Sequence, residues 1–230
     1  MLQAEGRVVM VSGASRGIGR AIVDRLFASG FRVSGGMRDP SRLSECDRIL
    51  SSPYEAEQVG AAEAWVERTI ERFGRIDAVV NAAGIDPKVR AIDDDEDELD
   101  RMWRVNVKGP MRIVRAAYPH LAASGQGRVV NLGSLASKRV TENVGYSMSK
   151  FALAALTHGI RREGRDAGIR ATIVCPGAVA TDMTAGFTAY PPSEMIQPED
   201  LAVLVETLIQ LPNNASVSEL LVHCKFEPML

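Results

Sequence analysis

Short apolar runs alternate along the chain with longer stretches in which apolar residues recur every three or four positions. The short runs predict strands over residues 7–12, 31–37, 48–52, 76–81, 128–132, 169–175 and 219–224. Several of them, VVMV and AVV for example, show no polar alternation, as expected of strands covered on both faces. The longer stretches predict helices over residues 18–29, 56–73, 96–120, 144–167 and 199–211, several of them closed by a stop signal such as Gly30, Gly74 or Pro212. Strand and helix alternate from end to end with no linker, repeat or low-complexity tract. This pattern implies an α/β fold, a single doubly wound domain over residues 1–230 with a mostly parallel seven-stranded sheet flanked by helices on both faces. The acidic run 93–98 reads as the first turn of a helix, where carboxylates favour the positive end of the dipole.

The 230 residues are 46% hydrophobic and 24% charged, the make-up of a protein with a sizeable core. A net charge of -2 and the lack of any Lys and Arg cluster argue against nucleic acid or an anionic membrane as partner and leave a small molecule. No apolar run approaches the ~18 residues of a membrane span, and MLQAEGRVVMVSGAS does not read as a signal peptide, so a cytoplasmic location is expected. Cys46, Cys175 and Cys224, like His120, His158 and His223, are scattered. They give neither a disulfide framework nor a metal-ligand spacing, and no metal is expected.

The first strand runs into SGASRGIG and then into an apolar helical pattern. Gly13, Gly17 and Gly19 would let the backbone turn sharply and approach a phosphate held by the N–H groups of the helix start. A tight turn without a ligand fits the motif alone equally well. The G-x-x-x-G-x-G spacing, however, resembles the short-chain dehydrogenase/reductase family, and further motifs of that family follow in order. They are NAAG at Asn81 to Gly84, Asn106 within VNVKGP, Ser134 within VVNLGS, YSMSK from Tyr146 to Lys150, and PGAVAT from Pro176 to Thr181. The resemblance spans the whole chain and implies a Rossmann-type domain and an oxidoreductase interconverting a carbonyl and an alcohol with a nicotinamide dinucleotide.

Tyr146 and Lys150 lie one helical turn apart. A phenol with a pKa near ~10 is a poor acid or base at neutral pH, and a cation on the same helix face would lower it. The resemblance implies that Tyr146 exchanges a proton with the substrate oxygen, Ser134 hydrogen-bonds that oxygen, Asn106 helps hold a water, and Lys150 binds the nicotinamide ribose. It further implies cofactor contacts at Gly13, Ser15, Arg16, Gly17, Ile18 and Gly19, at Asn81, Ala82 and Gly84 on the adenosine side, and at Pro176, Gly177, Val179 and Thr181 near the nicotinamide. Taken singly, Ser134 could be a strand-end turn residue, Asn106 a mid-helix polar residue and Lys150 a solvated charge. The rival functional class is a catalytically silent dinucleotide sensor or scaffold, which would be expected to lack the tyrosine or the lysine; an isomerase or dehydratase step on the same fold also stays open.

The second strand ends in VSGGMRDP. Met37 stands where an acid would accept the ribose hydroxyls of NAD, and Arg38 follows, which favours NADP(H), with Arg16 as a second cation for a 2′-phosphate. The competing reading makes Asp39 the ribose acid and leaves NAD(H) possible. Glu55 stands where the family commonly has an aspartate in the adenine pocket. Substrate contacts are expected from residues 85–95, 135–143 and 182–197, the last a lid over the substrate; Lys88, Arg90, Lys138 and Arg139 there could attract an anion or be solvated surface. The family usually forms dimers or tetramers through its two long helices, and Ala152, Ala155 and Gly159 would allow close helix approach or serve packing within the chain. The ending SELLVHCKFEPML replaces the commoner glycine-rich one and leaves the substrate unidentified.

Overall fold

The computed structural model describes residues 1–94, 96–186 and 191–225. Seven strands form one sheet: β1 (Val8–Ser12), β2 (Arg32–Met37), β3 (Ile49–Pro53), β4 (Ala78–Asn81), β5 (Arg128–Leu132), β6 (Arg170–Pro176) and β7 (Glu219–Val222). Their order is β3-β2-β1-β4-β5-β6-β7 and every pairing is parallel. The order reverses between β1 and β4, so the carboxyl ends of these two strands open onto the crevice where such sheets take ligands.

Alternate residues of each strand feed two cores. On one face Val9, Val11 and Val80 pack with Ile22 and Leu26 of α1 (Gly17–Ala28) and Leu201, Val205 and Ile209 of α6 (Pro198–Gln210). On the other, Met10 and Val79 pack with Trp65 of α2 (Ala61–Phe73), Ile113 and Leu121 of α4 (Gly109–Ala123) and Ile160 of α5 (Val144–Gly164). Burial on both sides explains the continuous apolar strands. Gly36 in β2 makes room for Trp65, whose ring would lie 2.7 Å from an added Cβ. The Trp65 indole N–H donates to Ser34 Oγ at 2.9 Å, and Ser34 in turn shares a hydrogen bond of 2.8 Å with Thr69.

Two expected helices are corrected. The helix over 56–73 begins only at Ala61, because Gly60 sits at φ 87 and ends the preceding turn. The helix over 96–120 divides into α3 (Glu96–Trp103), a π-helical turn at Arg104–Lys108 and α4, with Gly109 N bonded back to Arg104 O. Pro110 has no N–H to offer the carbonyl of Asn106, so an ordinary α-helical bond is impossible there. Of the acidic run, Glu96, Asp97 and Glu98 lie in the first turn of α3, whereas Asp93 pairs with Arg90, and Asp95 lies outside the described residues. No described helix is long and apolar enough to cross a membrane.

Candidate active site

Glycine geometry builds the cofactor side of the site. Gly13 (φ 70) packs so tightly that an added Cβ would stand 2.9 Å from the Ala83 backbone, and at Gly19 it would stand 2.2 Å from Gly13 O. No side chain caps the start of α1, which leaves its first N–H groups without a side-chain acceptor at the cleft wall. Gly13, Ser15, Arg16, Gly17, Ile18, Gly19, Arg38, Ala82, Gly84 and Thr181 line one cleft of about 240 Å³, together with Tyr54, Glu55, Glu57 and Arg101. A cradle of glycine backbone, free helix-start N–H groups and exposed arginine fits a dinucleotide phosphate chain.

Some expected residues stand elsewhere. Asn81 is 2% exposed, and its amide donates to Asn131 Oδ1 at 2.7 Å beneath the cleft. Pro176 ends β6, Gly177 N donates to Val222 O at 2.8 Å, and the Val179 side chain is buried in the core. Arg16 reaches away from Arg38, across the cleft mouth to Asp182 at 2.8 Å. Asp39 accepts from both Ser41 N and Ser41 Oγ, so it caps the turn at Pro40–Arg42 and is engaged there.

Beyond Gly84 lies the second cluster: a Cβ at that glycine would be 3.4 Å from Asn106 Oδ1 and 3.7 Å from Lys150 Nζ. Lys150 is 5% exposed and donates to Leu132 O at 2.8 Å, with its ammonium 5.5 Å from the centre of the Tyr146 ring. Burial pulls the Lys150 ammonium down to about 8, with Cys175 and Asp86 acting against that. Tyr146 is held above the ordinary phenol value by burial and then by the Asp86 carboxylate, while a hydrogen bond with Ser134 favours its ionised form. The net direction is therefore opposite to the one expected from the Tyr146–Lys150 pair alone, and burial is its largest cause. Ser134 also caps the turn at Leu135–Ser137, accepting from Ala136 N at 3.1 Å, so its structural and site roles coexist.

Asn106 is 1% exposed, and its side chain bonds to two segments. Its Oδ1 accepts from Ile85 N at 2.9 Å, and its Nδ2 donates to Ile85 O at 2.9 Å and Ser149 Oγ at 3.0 Å. The side chain is thus a tie between segments, with both amide hydrogens spent and one acceptor position of Oδ1 left.

Two residues of the expected substrate loops that the sequence analysis did not single out, Asp86 in 85–95 and Asn143 in 135–143, stand beside Tyr146. Asn143 caps α5, its Oδ1 accepting from Tyr146 N and Val89 N at 3.1 Å each, and its Nδ2 donates to Asp86 Oδ1 at 2.5 Å. An asparagine three residues before Tyr146 is a legible helix-start signal, whereas within the expected loop 85–95 no pattern singles out Asp86. Of the loop cations, Arg90 pairs with Asp93 and Lys138 with Glu219. The segment over 182–197 opens with a 3-10 turn at Asp182–Thr184; residues 187–190 of the expected lid, and 226–230 of the chain's ending, lie outside the described residues.

Known proteins are similar to this chain in sequence and fold. The agropine synthesis reductase of Rhizobium rhizogenes is 39% identical over 227 residues, which are 96% of this chain and 53% of that protein, so the chain spans about half the length of this relative. An alcohol dehydrogenase from the archaeon Thermococcus sibiricus, complexed with 5-hydroxy-NADP, superimposes with a TM-score of 0.89 at 28% identity, covering 97% of this chain and 99% of that one. A 3-ketoacyl-(acyl-carrier-protein) reductase from Brucella melitensis, complexed with NADH, gives 0.88 at 26% identity, covering 96% and 98%. The short chain dehydrogenase model matches residues 7–191, from the start of the sheet to beyond the PGAVAT motif, and the chain belongs to that family.

Proposed function

We infer that the chain is an NADP(H)-dependent oxidoreductase interconverting a carbonyl and a secondary or primary alcohol, with Tyr146 as the acid/base group. The observation that carries this reading is the convergence of Ser134, Tyr146 and Lys150 beside Gly84, the glycine at which the dinucleotide-shaped cleft meets them. The bound nicotinamide supplies or accepts the hydride. Tyr146, its phenol kept neutral by burial and by Asp86, holds the proton that a developing alkoxide needs, which suits reduction. Ser134 Oγ is placed to hydrogen-bond the same substrate oxygen. Lys150, about nine-tenths protonated at pH 7 with a pKa of about 8, provides positive charge beside the phenol as it gives up its proton. For Asn106 the backbone carbonyl, which Pro110 cannot serve, is an acceptor that could hold a water.

Preference for NADP(H) is supported by Arg38, which is exposed on the cleft wall and makes no ion pair among the described residues, and by the engagement of Asp39 with Ser41. Arg16 would serve a 2′-phosphate only after leaving Asp182. A homodimer or homotetramer through α4 and α5 is supported by exposed Met111 and Phe151 and by Gly159, where an added Cβ would face open space with nothing within 4 Å.

The test is NADPH oxidation across aldehydes, ketones and keto acids, with Tyr146→Phe as control. Turnover should appear with at least one carbonyl and fall by about 10²-fold or more in the Phe variant. Tight NADPH binding without turnover of any carbonyl refutes the reading; equal use of NADH, or a preference unchanged in Arg38→Asp, refutes the phosphate assignment.

A further inference from the structure

Charge at the mouth of the site is unevenly satisfied. Arg90 is neutralised by Asp93, Lys138 by Glu219 and Arg16 by Asp182, each within 3 Å. Asp86 differs: it makes no ion pair among the described residues, and the hydrogen bond it accepts there comes from a neutral amide, Asn143 Nδ2, at 2.5 Å.

That amide fixes the carboxylate in space. Asn143 is held by Tyr146 N and Val89 N through its oxygen and by Pro87 O at 2.8 Å through its nitrogen, so Asp86 is tied to the first turn of the helix that carries Tyr146. Its charge acts on both Tyr146 and Lys150. Lys150 spends its hydrogen bond on Leu132 O and forms no ion pair with Asp86, and Lys88 acts on the carboxylate only at a distance. Asp86 is at the same time exposed to solvent. A carboxylate that is pinned, partly dehydrated and matched only by a neutral donor gains most from a cation arriving in the mouth, and it repels an anion there.

We propose that Asp86 selects the substrate: carbonyl compounds carrying a cationic group, such as a protonated amine, a few bonds from the reacting carbon. The proposal deepens the oxidoreductase reading and rests on it for the position of the reacting carbon. Of the neighbouring loop cations, Arg90 and Lys138 are already neutralised and do not recruit an anionic keto acid, whereas Lys88 makes no ion pair among the described residues.

The test separates selection from turnover. Binding of 1-amino-2-propanol, propane-1,2-diol and lactate to the chain saturated with NADP+ is measured by calorimetry, alongside NADPH oxidation with aminoacetone, hydroxyacetone and pyruvate. The amine should bind roughly tenfold more tightly than the diol, with lactate weakest. Asp86→Asn, which keeps an acceptor for Asn143, should bring the amine-to-diol ratio to about one, and Asp86→Lys should invert the order in favour of lactate. Equal binding of the three alcohols by the unmodified chain, or an amine preference that survives Asp86→Asn, overturns the proposal. An amine preference that depends on Asp86 in a protein that turns over none of the three carbonyls or the wider panel would sustain the selection and count against the oxidoreductase reading alone.

Discussion

Lys150 should be a residue the fold would be more stable without. It is 5% exposed, has a single neutral acceptor in Leu132 O, and burial lowers its pKa from 10.5 to about 8. At ~1.4 kcal/mol per unit this fall represents about 3 kcal/mol spent on keeping the ammonium charged inside the fold at neutral pH. Lys150→Met removes that cost and leaves the Leu132 carbonyl without its donor, a loss of about 1 kcal/mol. The net gain of about 2 kcal/mol should raise the melting temperature by roughly 4–8 °C for a chain of this size. The sign with pH follows from proton uptake. Between about 8 and 10.5 the unfolded chain binds the proton that the folded chain has released, so the parent chain gains stability as pH rises through that window. The advantage of the Met variant should therefore shrink to about zero at pH 9.5. Thermal melts at pH 7 and pH 9.5 would check this, with NADPH oxidation expected to be abolished throughout. A Met variant less stable than the parent at both values, by the same margin, would refute the reasoning and make Lys150 a net structural contributor.

Gly19→Ala places a Cβ 2.2 Å from Gly13 O, a backbone atom that cannot swing aside, so the turn must open; NADPH affinity, read by fluorescence titration, should fall at least about tenfold. Asp77, 2% exposed at the opposite sheet edge, accepts from Val8 N and Arg75 and neutralises the buried Arg7. Asp77→Asn should cost about 3 kcal/mol, seen as an earlier urea midpoint, with the cofactor affinity of the folded protein retained. Ser34→Ala leaves the Trp65 indole N–H without its acceptor and should cost about 1–3 kcal/mol, accompanied by a change in the near-ultraviolet dichroism of the buried indole.

The sheet was legible because its central strands are buried on both faces and so are nearly continuous in apolar residues; the strand over 7–12 begins one residue later in the structure, at Val8. Breaks in the helices were less so, although their causes are local: Gly60 and the Gly109-Pro110 pair stand in the sequence as stop signals that the apolar periodicity overrode. At the site, the glycine turn and the YSMSK pair could be read because their spacing is set within one turn or one helix. The Asp86–Asn143 contact spans 57 positions and the Arg16–Asp182 pair 166, and no periodicity encodes either. The direction in which Tyr146 titrates depends on burial by other elements, which the helical spacing of Tyr146 and Lys150 does not contain.

Those long-range ties also decide which part of the site can move. The segment after β4 is held from three sides. Ser12 Oγ accepts from Ala82 N and Ala83 N at 3.1 and 3.2 Å, Asn106 bonds Ile85 in both directions, and Asn143 takes Val89 N. The segment after β5 is anchored by the Ser134 cap and by the Lys138–Glu219 pair. Each buried side-chain bond to backbone is worth about 1 kcal/mol, so displacing the first segment means giving up about 5 kcal/mol at once. The segment that begins at Thr181 is attached differently. Thr184 bonds back only to Val179 and Thr181 within the same segment, and across the cleft the tie is Arg16–Asp182, an ion pair exposed at both ends and worth at most about 1 kcal/mol. A ligand phosphate reaching Arg16 competes with Asp182 for the same guanidinium and releases that tie. Rearrangement on cofactor entry should therefore fall on residues 181–186, while the walls that carry Asn106, Ser134 and Tyr146 stay in place.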